Sequence, residues 1–125
     1  MHALCRAATA GDGRLVRRLM AVRPDLRDQA EYGKTPLMLA ALDGHAEIVE
    51  QLVDRGAQLD LQGNTGGTAL WYAVLGNRPA VVRLLVGRGA DQTIKGNAGS
   101  GNKTPKELAV VFAAHGHAEC AALLR

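Results

Sequence analysis

Lys34-Thr35-Pro36-Leu37-Met38-Leu39-Ala40-Ala41-Leu42-Asp43-Gly44-His45 is the stretch on which the rest of the chain is patterned. Its opening returns as Thr68-Ala69-Leu70-Trp71-Tyr72-Ala73, and Thr68 stands 33 residues after Thr35. The same interval separates Val16, Val49 and Val82, and again Leu19, Leu52 and Leu85, while Arg55-Gly56-Ala57 recurs as Arg88-Gly89-Ala90. A fixed period of this length, kept at several independent positions, is the mark of a helical solenoid.

The residue types at these marks say how each unit is built. Thr35 offers a side-chain acceptor to the first free amides of a helix, and Pro36 takes the first helical position, where no backbone donor is missed. Gly44 falls where that helix must stop. Its counterparts are Gly11 and Asn77, the two residue types that most readily hold left-handed backbone angles. Glu47-Ile48-Val49-Glu50-Gln51-Leu52-Val53 then carries its apolar residues on one helical face, and Gly56 ends that second helix. Each unit therefore reads as helix, turn, helix and extended link.

Thr35-Pro36-Leu37, Ala40-Ala41, Gly44-His45, Glu47-Ile48-Val49, Leu52 and Gly56-Ala57 resemble the ankyrin repeat, residue type for residue type and in order. The resemblance covers nearly the whole chain and implies a mainly α fold: an ankyrin-repeat solenoid of stacked helix-turn-helix units with hairpin-like finger loops. Four repeats are expected in a single domain spanning 1–125, at about 1–27, 28–60, 61–93 and 94–125, the first and last modified as caps. Fingers and first helices would together form a concave face.

Composition fits such a stack. A core of Ala, Leu and Val needs few rings, and only 3% of the 125 residues are aromatic. Cys5 and Cys120 lie near opposite ends of an elongated array, which argues against an internal disulfide and for a reducing compartment. No apolar run approaches the roughly 18 residues of a membrane span, and the start carries no secretory pattern. A cytoplasmic protein, monomeric when alone, is expected.

In the first unit, His2-Ala3 replaces the Thr-Pro start and Arg6 stands where Leu39 is apolar, as suits a repeat whose outer face meets water. Arg14, Arg17 and Arg18 make a basic stripe on its second helix. Nucleic acid is one reading of that stripe, but no aromatic residues interleave with it and the net charge is only +3, so a solvated cap face is preferred. In the second unit His45 follows the turn glycine; in the family this histidine is a structural hydrogen-bonding residue. The third unit has Trp71 in place of the family's usual first-helix histidine and Arg78 in place of the one after the turn. That puts the family's hydrogen bonds between repeats in question at this joint. Tyr72 reads as core filler, whereas Tyr32 and Trp71 are candidates for a surface role.

The fourth unit departs most. Thr104-Pro105 comes 36 residues after Thr68, and the added residues belong to Gly96–Asn102, expected to be a longer and mobile finger. Gly116-His117-Ala118-Glu119 matches Gly44-His45-Ala46-Glu47 with a further three-residue offset, so Val110 to Ala114 should lengthen the first helix by nearly one turn.

Two chemical readings compete with a binding module. Residues 96–104 suggest a phosphate loop, with Lys103 and Thr104 in the lysine and hydroxyl positions. However, Asn97 and Asn102 stand where glycines belong, and Thr104-Pro105 is already explained as a repeat start. His115 and His117 are a weak metal pair with no third ligand in register. No nucleophile has a base in a meaningful relation to it, so neither catalysis nor a cofactor, metal or small-molecule substrate is expected. The resemblance implies a non-catalytic protein-protein interaction module. Its partner protein would be held at the concave face by Tyr32, Lys34, Leu42, Asp43, Trp71 and Leu75, with Trp71 as the aromatic anchor.

Overall fold

The computed structural model describes residues 3–24, 30–31, 33–97 and 101–125, with His115 by its backbone alone. Four helix pairs follow one another along the described chain. They are α1 (Ala3–Ala10) with α2 (Gly13–Val22), α3 (Pro36–Asp43) with α4 (Ala46–Asp54), α5 (Ala69–Leu75) with α6 (Pro79–Gly87), and α7 (Pro105–Val111) with α8 (Ala118–Leu123). First helices pack on first helices in the order α1, α3, α5, α7, and second helices on second helices in the order α2, α4, α6, α8. Each layer is one repeat, and the core is the seam between layers.

The start signals act as their chemistry predicts. Thr35, Thr68 and Thr104 each sit in extended backbone and accept a hydrogen bond from the amide three residues on, at Met38, Trp71 and Glu107. In the fourth unit Glu107 returns the bond to the Thr104 amide at 2.9 Å, closing a reciprocal cap. In the second unit Met38 Sδ takes that place, 3.4 Å from the Thr35 amide. The stop signals hold as well: Gly11, Gly44, Asn77 and Gly116 all have positive φ, at 76°, 79°, 56° and 97°. Asn77 is the one non-glycine residue with positive φ among those described.

The period places the same residue types at the seams. Val16, Val49 and Val82 are fully buried, as are Leu52 and Leu85, and Leu19 packs partly buried against the same core. Burying side chains of this size contributes roughly 1.5–3 kcal/mol each, which lets short helices of marginal intrinsic stability persist.

The links fold into fingers that are hydrogen-bonded to one another. Glu31 and Lys34 form an antiparallel bridge in the second unit. Gly63 donates to the carbonyl of Gly67 in the third. In the fourth, β1 (Gly96–Asn97) pairs antiparallel with β2 (Asn102–Lys103). Between fingers, the Asn64 amide donates to Gly33 at 2.9 Å and the Asn97 amide to Thr65 at 3.0 Å. Three consecutive fingers are thus joined backbone to backbone. Mobility is expected across the whole of 96–102; Gly96, Asn97 and Asn102 of that stretch are paired in the two-stranded ladder, and residues 98–100 lie outside the described residues.

One expectation for the fourth unit is corrected. The added residues do not lengthen the α-helix: α7 ends at Val111, and Ala113–His115 coil instead into a short 3-10 helix before Gly116. The tighter path turns Phe112 back onto His117, with ring centroids 5.3 Å apart.

Candidate concave binding face

Four of the six residues expected at a binding face occupy partly exposed positions at the ends of first helices. Leu42 and Asp43 are the last two residues of α3, and Leu75, the counterpart of Leu42, is the last of α5. Because α3 packs on α5, these three gather at the turn end of the stack. Lys34 lies at the other end of α3, in the finger, with its Nζ 5.7 Å from the centre of the Tyr72 ring. An eight-residue helix is roughly 12 Å long. The four therefore spread over the length of a first helix rather than converging on a point.

Tyr32 lies outside the described residues. Trp71 does not serve as a surface anchor: it is 1% exposed. The reason is the repeat register. Trp71 stands 33 residues after Met38, a position that is also sealed in the second unit, and the larger ring is accommodated by glycines. A Cβ at Gly96 would come within 2.6 Å of Trp71 Cε2, and one at Gly67 would strike the opposite part of the same ring system. Tyr72 packs edge-on to it, 5.1 Å between centroids at 88°. The indole thus forms the floor beneath two fingers. Its Nε1 is buried and has no acceptor among the described residues.

Tyr72 is core filler, as its sequence position suggests, at 2% exposed, and its hydroxyl reaches Thr65 Oγ1 of the finger at 2.8 Å. With residues 69–74 all buried, Leu75 is the one residue of α5 left partly exposed. The third unit's remaining accessible surface comes from its finger, where Gln62 and Asn64 are exposed. Asn64 is legible in the sequence as a finger residue, and in the structure it lies against Gly33 of the preceding finger, to whose carbonyl its amide donates.

The joint where both family histidines are missing is not left open. His45 Nε2 donates to the carbonyl of Thr9 at 3.1 Å, and Arg78 Nε donates to the carbonyl of Leu42 at 3.0 Å. These are the same bond one repeat apart. The next equivalent, His117, packs against Phe112, and its ring nitrogens find no partner among the described residues. There the joint is made instead by Cys120, whose Sγ donates to Asn77 Oδ1 at 3.6 Å.

Chemically the face offers charge and apolar surface but no reacting constellation. Thr104, the hydroxyl of the phosphate-loop reading, is engaged in its helix cap by Glu107. That same bonding, from the Thr104 amide and hydroxyl, holds the Glu107 carboxyl below its ordinary range. Among the described residues no three potential metal ligands gather, and the His115 side chain lies outside them. No described helix is long and apolar enough to cross a membrane.

A family model for ankyrin repeats, in three copies, matches residues 4–96. The chain belongs to the ankyrin-repeat family. A comparison with curated proteins gives no match. Ankyrin repeats are generally protein-protein interaction modules and typically non-catalytic. The fourth helix pair of this ankyrin-repeat protein lies beyond the matched span, consistent with its longer finger and the short 3-10 helix that follows α7.

Proposed function

We propose that residues 1–125 act as one non-catalytic binding domain that holds a partner protein along the groove lined by Lys34, Leu42, Asp43 and Leu75, with Asn64 at the finger rim. The observation that supports this reading is the backbone ladder joining the fingers, through Asn64 to Gly33 and Asn97 to Thr65. A wall fixed by backbone bonds loses little conformational entropy on binding, so its contacts are retained as affinity. The groove joins a cation, an anion and two leucines, a mixture that suits an amphipathic protein segment better than a small metabolite.

The test starts from a partner captured from the native cell and identified by mass spectrometry, then measured with purified proteins. The double variant Lys34→Ala/Asp43→Ala should weaken binding at least about tenfold with an unchanged melting midpoint. Arg83→Ala, on α6 in the second-helix layer, should bind normally. Normal binding by the groove variant with loss in Arg83→Ala would move the partner to the opposite layer.

A further inference from the structure

The positive charge of this chain belongs to one unit. Residues 1–27 hold six arginines against two aspartates, a net +4, while residues 28–125 hold nine basic against ten acidic residues, a net −1. Within the first unit Arg14, Arg17 and Arg18 are all exposed on α2.

Three other arginines of the second-helix layer and its turns have side-chain partners, whereas exposed Arg55, after α4, has none among the described residues. Arg78 holds the Leu42 carbonyl, Arg88 pairs with Asp54 at 2.6 Å, and Arg83 lies 3.8 Å from Glu119. Arg14, Arg17 and Arg18 have no ion pair or hydrogen-bond partner among the described residues. Three unpaired guanidinium groups on a helix of ten residues, roughly 15 Å long, repel one another unless an anion is supplied.

Their arrangement is directional. Val16 and Met20 turn α2 toward the core. A Cβ at Gly13 would lie 3.2 Å from Gln51 Nε2 and 3.8 Å from Glu47 Oε1, which puts the α4 side of α2, with its Glu47 carboxylate, at Gly13 and, one turn on, at Arg17. Arg14, Arg18 and Val22 follow each other at four-residue spacing on the side away from α4, with Leu15 beside them. Val22 is 77% exposed and Leu15 39% exposed. The free side of α2 is therefore a strip of two arginines and two uncovered apolar side chains.

We infer that this strip is a second docking surface, separate from the concave groove, and that its occupant is an acidic, leucine-bearing segment of a protein. Charge complementarity selects an anion, and the apolar pair selects the kind. A nucleic-acid backbone has no apolar surface for Val22 and Leu15, and the unit offers no described aromatic side chain to stack a base. An extended polyanion or an anionic membrane would also meet Glu47, whose carboxylate lies beside Gly13, and Glu50, both exposed on α4. A segment one helix wide, with acidic side chains flanking an apolar row, pairs with both arginines and covers both apolar residues without running along α4.

A short synthetic helical peptide of glutamate and leucine is the probe, titrated calorimetrically into the intact protein. Binding should weaken as salt rises from about 50 mM to about 300 mM. It should fall at least about tenfold in Arg14→Glu/Arg18→Glu, fall also in Leu15→Ser/Val22→Ser, and persist in Arg83→Glu, with melting midpoints verifying that all variants are folded. The proposal is overturned if the peptide does not bind, if its glutamine-for-glutamate analogue binds equally well, or if the arginine variant binds like wild type. Tighter binding of a duplex oligonucleotide or of phosphatidylserine vesicles than of the peptide would assign the strip to that class instead and equally overturn it.

Discussion

Arg78 Nε donates to the carbonyl of Leu42 at 3.0 Å, and in doing so performs at the second joint what His45 performs at the first by donating to Thr9. The two residues share no chemistry of charge or ring, only a nitrogen donor that can reach back across one repeat. The carbonyls they satisfy lie near the C-terminal ends of α3 and α1, where intrahelical donors run out. Arg78→Ala should lower stability by about 1–2 kcal/mol, and Arg78→His should recover most of that in urea melts. Equal midpoints for wild type and Arg78→Ala would mean that water serves the carbonyl equally well.

The burial of Trp71 leads to an expectation opposite to that for a surface anchor. Trp71→Ala should cost roughly 3–5 kcal/mol as a large core truncation, seen as a lowered melting midpoint before any loss of partner binding. Gly96→Ala should also destabilise, because its Cβ would press on the indole at 2.6 Å. A Gly96→Ala protein as stable as wild type would show that the fourth finger does not rest on that ring.

The turns give a contrasting pair. Asn77 holds φ of 56°, so Asn77→Gly relieves the backbone but removes the Oδ1 that accepts from Cys120 Sγ, and the two effects should leave it close to neutral. Gly44→Val should be strongly destabilising for two reasons: φ there is 79°, and a Cβ would fall 2.7 Å from Arg78 Cδ. Denaturant melts of both variants decide the matter through the order of their midpoints, Asn77→Gly close to wild type and Gly44→Val well below.

Cys5 gives the chain an alkaline limit. Burial first, and the Glu31 carboxylate second, push its thiol from 9.0 up to about 11. The folded state thus keeps the proton while the unfolded chain releases it. The resulting stability is fully present below pH 9 and is lost as pH rises toward about 11. Melting midpoints of wild type should fall across that interval more steeply than those of Cys5→Ala, and parallel curves would remove the effect. The same burial predicts that Cys5 reacts slowly with thiol reagents until the first unit opens.

The sequence by itself determined everything that depends on local chemistry repeated at a fixed interval. A hydroxyl before a helix, glycine or asparagine after it and an apolar side chain at each seam act within a few residues of themselves, so a period of 33 was enough to place the helices, the left-handed turns and Val49, Leu52, Val82 and Leu85 in the core. The tertiary structure alone decided what happens between repeats. It turned Trp71 inward, because the space above its ring is set by Gly67 and by Gly96 of the following finger. It let Arg78 stand in for a histidine, because the Leu42 carbonyl lies within reach of a longer side chain. And it left Arg14 and Arg18 unpaired, because both are exposed on α2 while the side chains of α4 that reach this helix, Gln51 and Glu47, come to it at Gly13. Contacts such as Trp71 with Gly96 and Arg78 with Leu42 join different repeats, and their outcome is settled by distance and free volume, which the order of residues does not state.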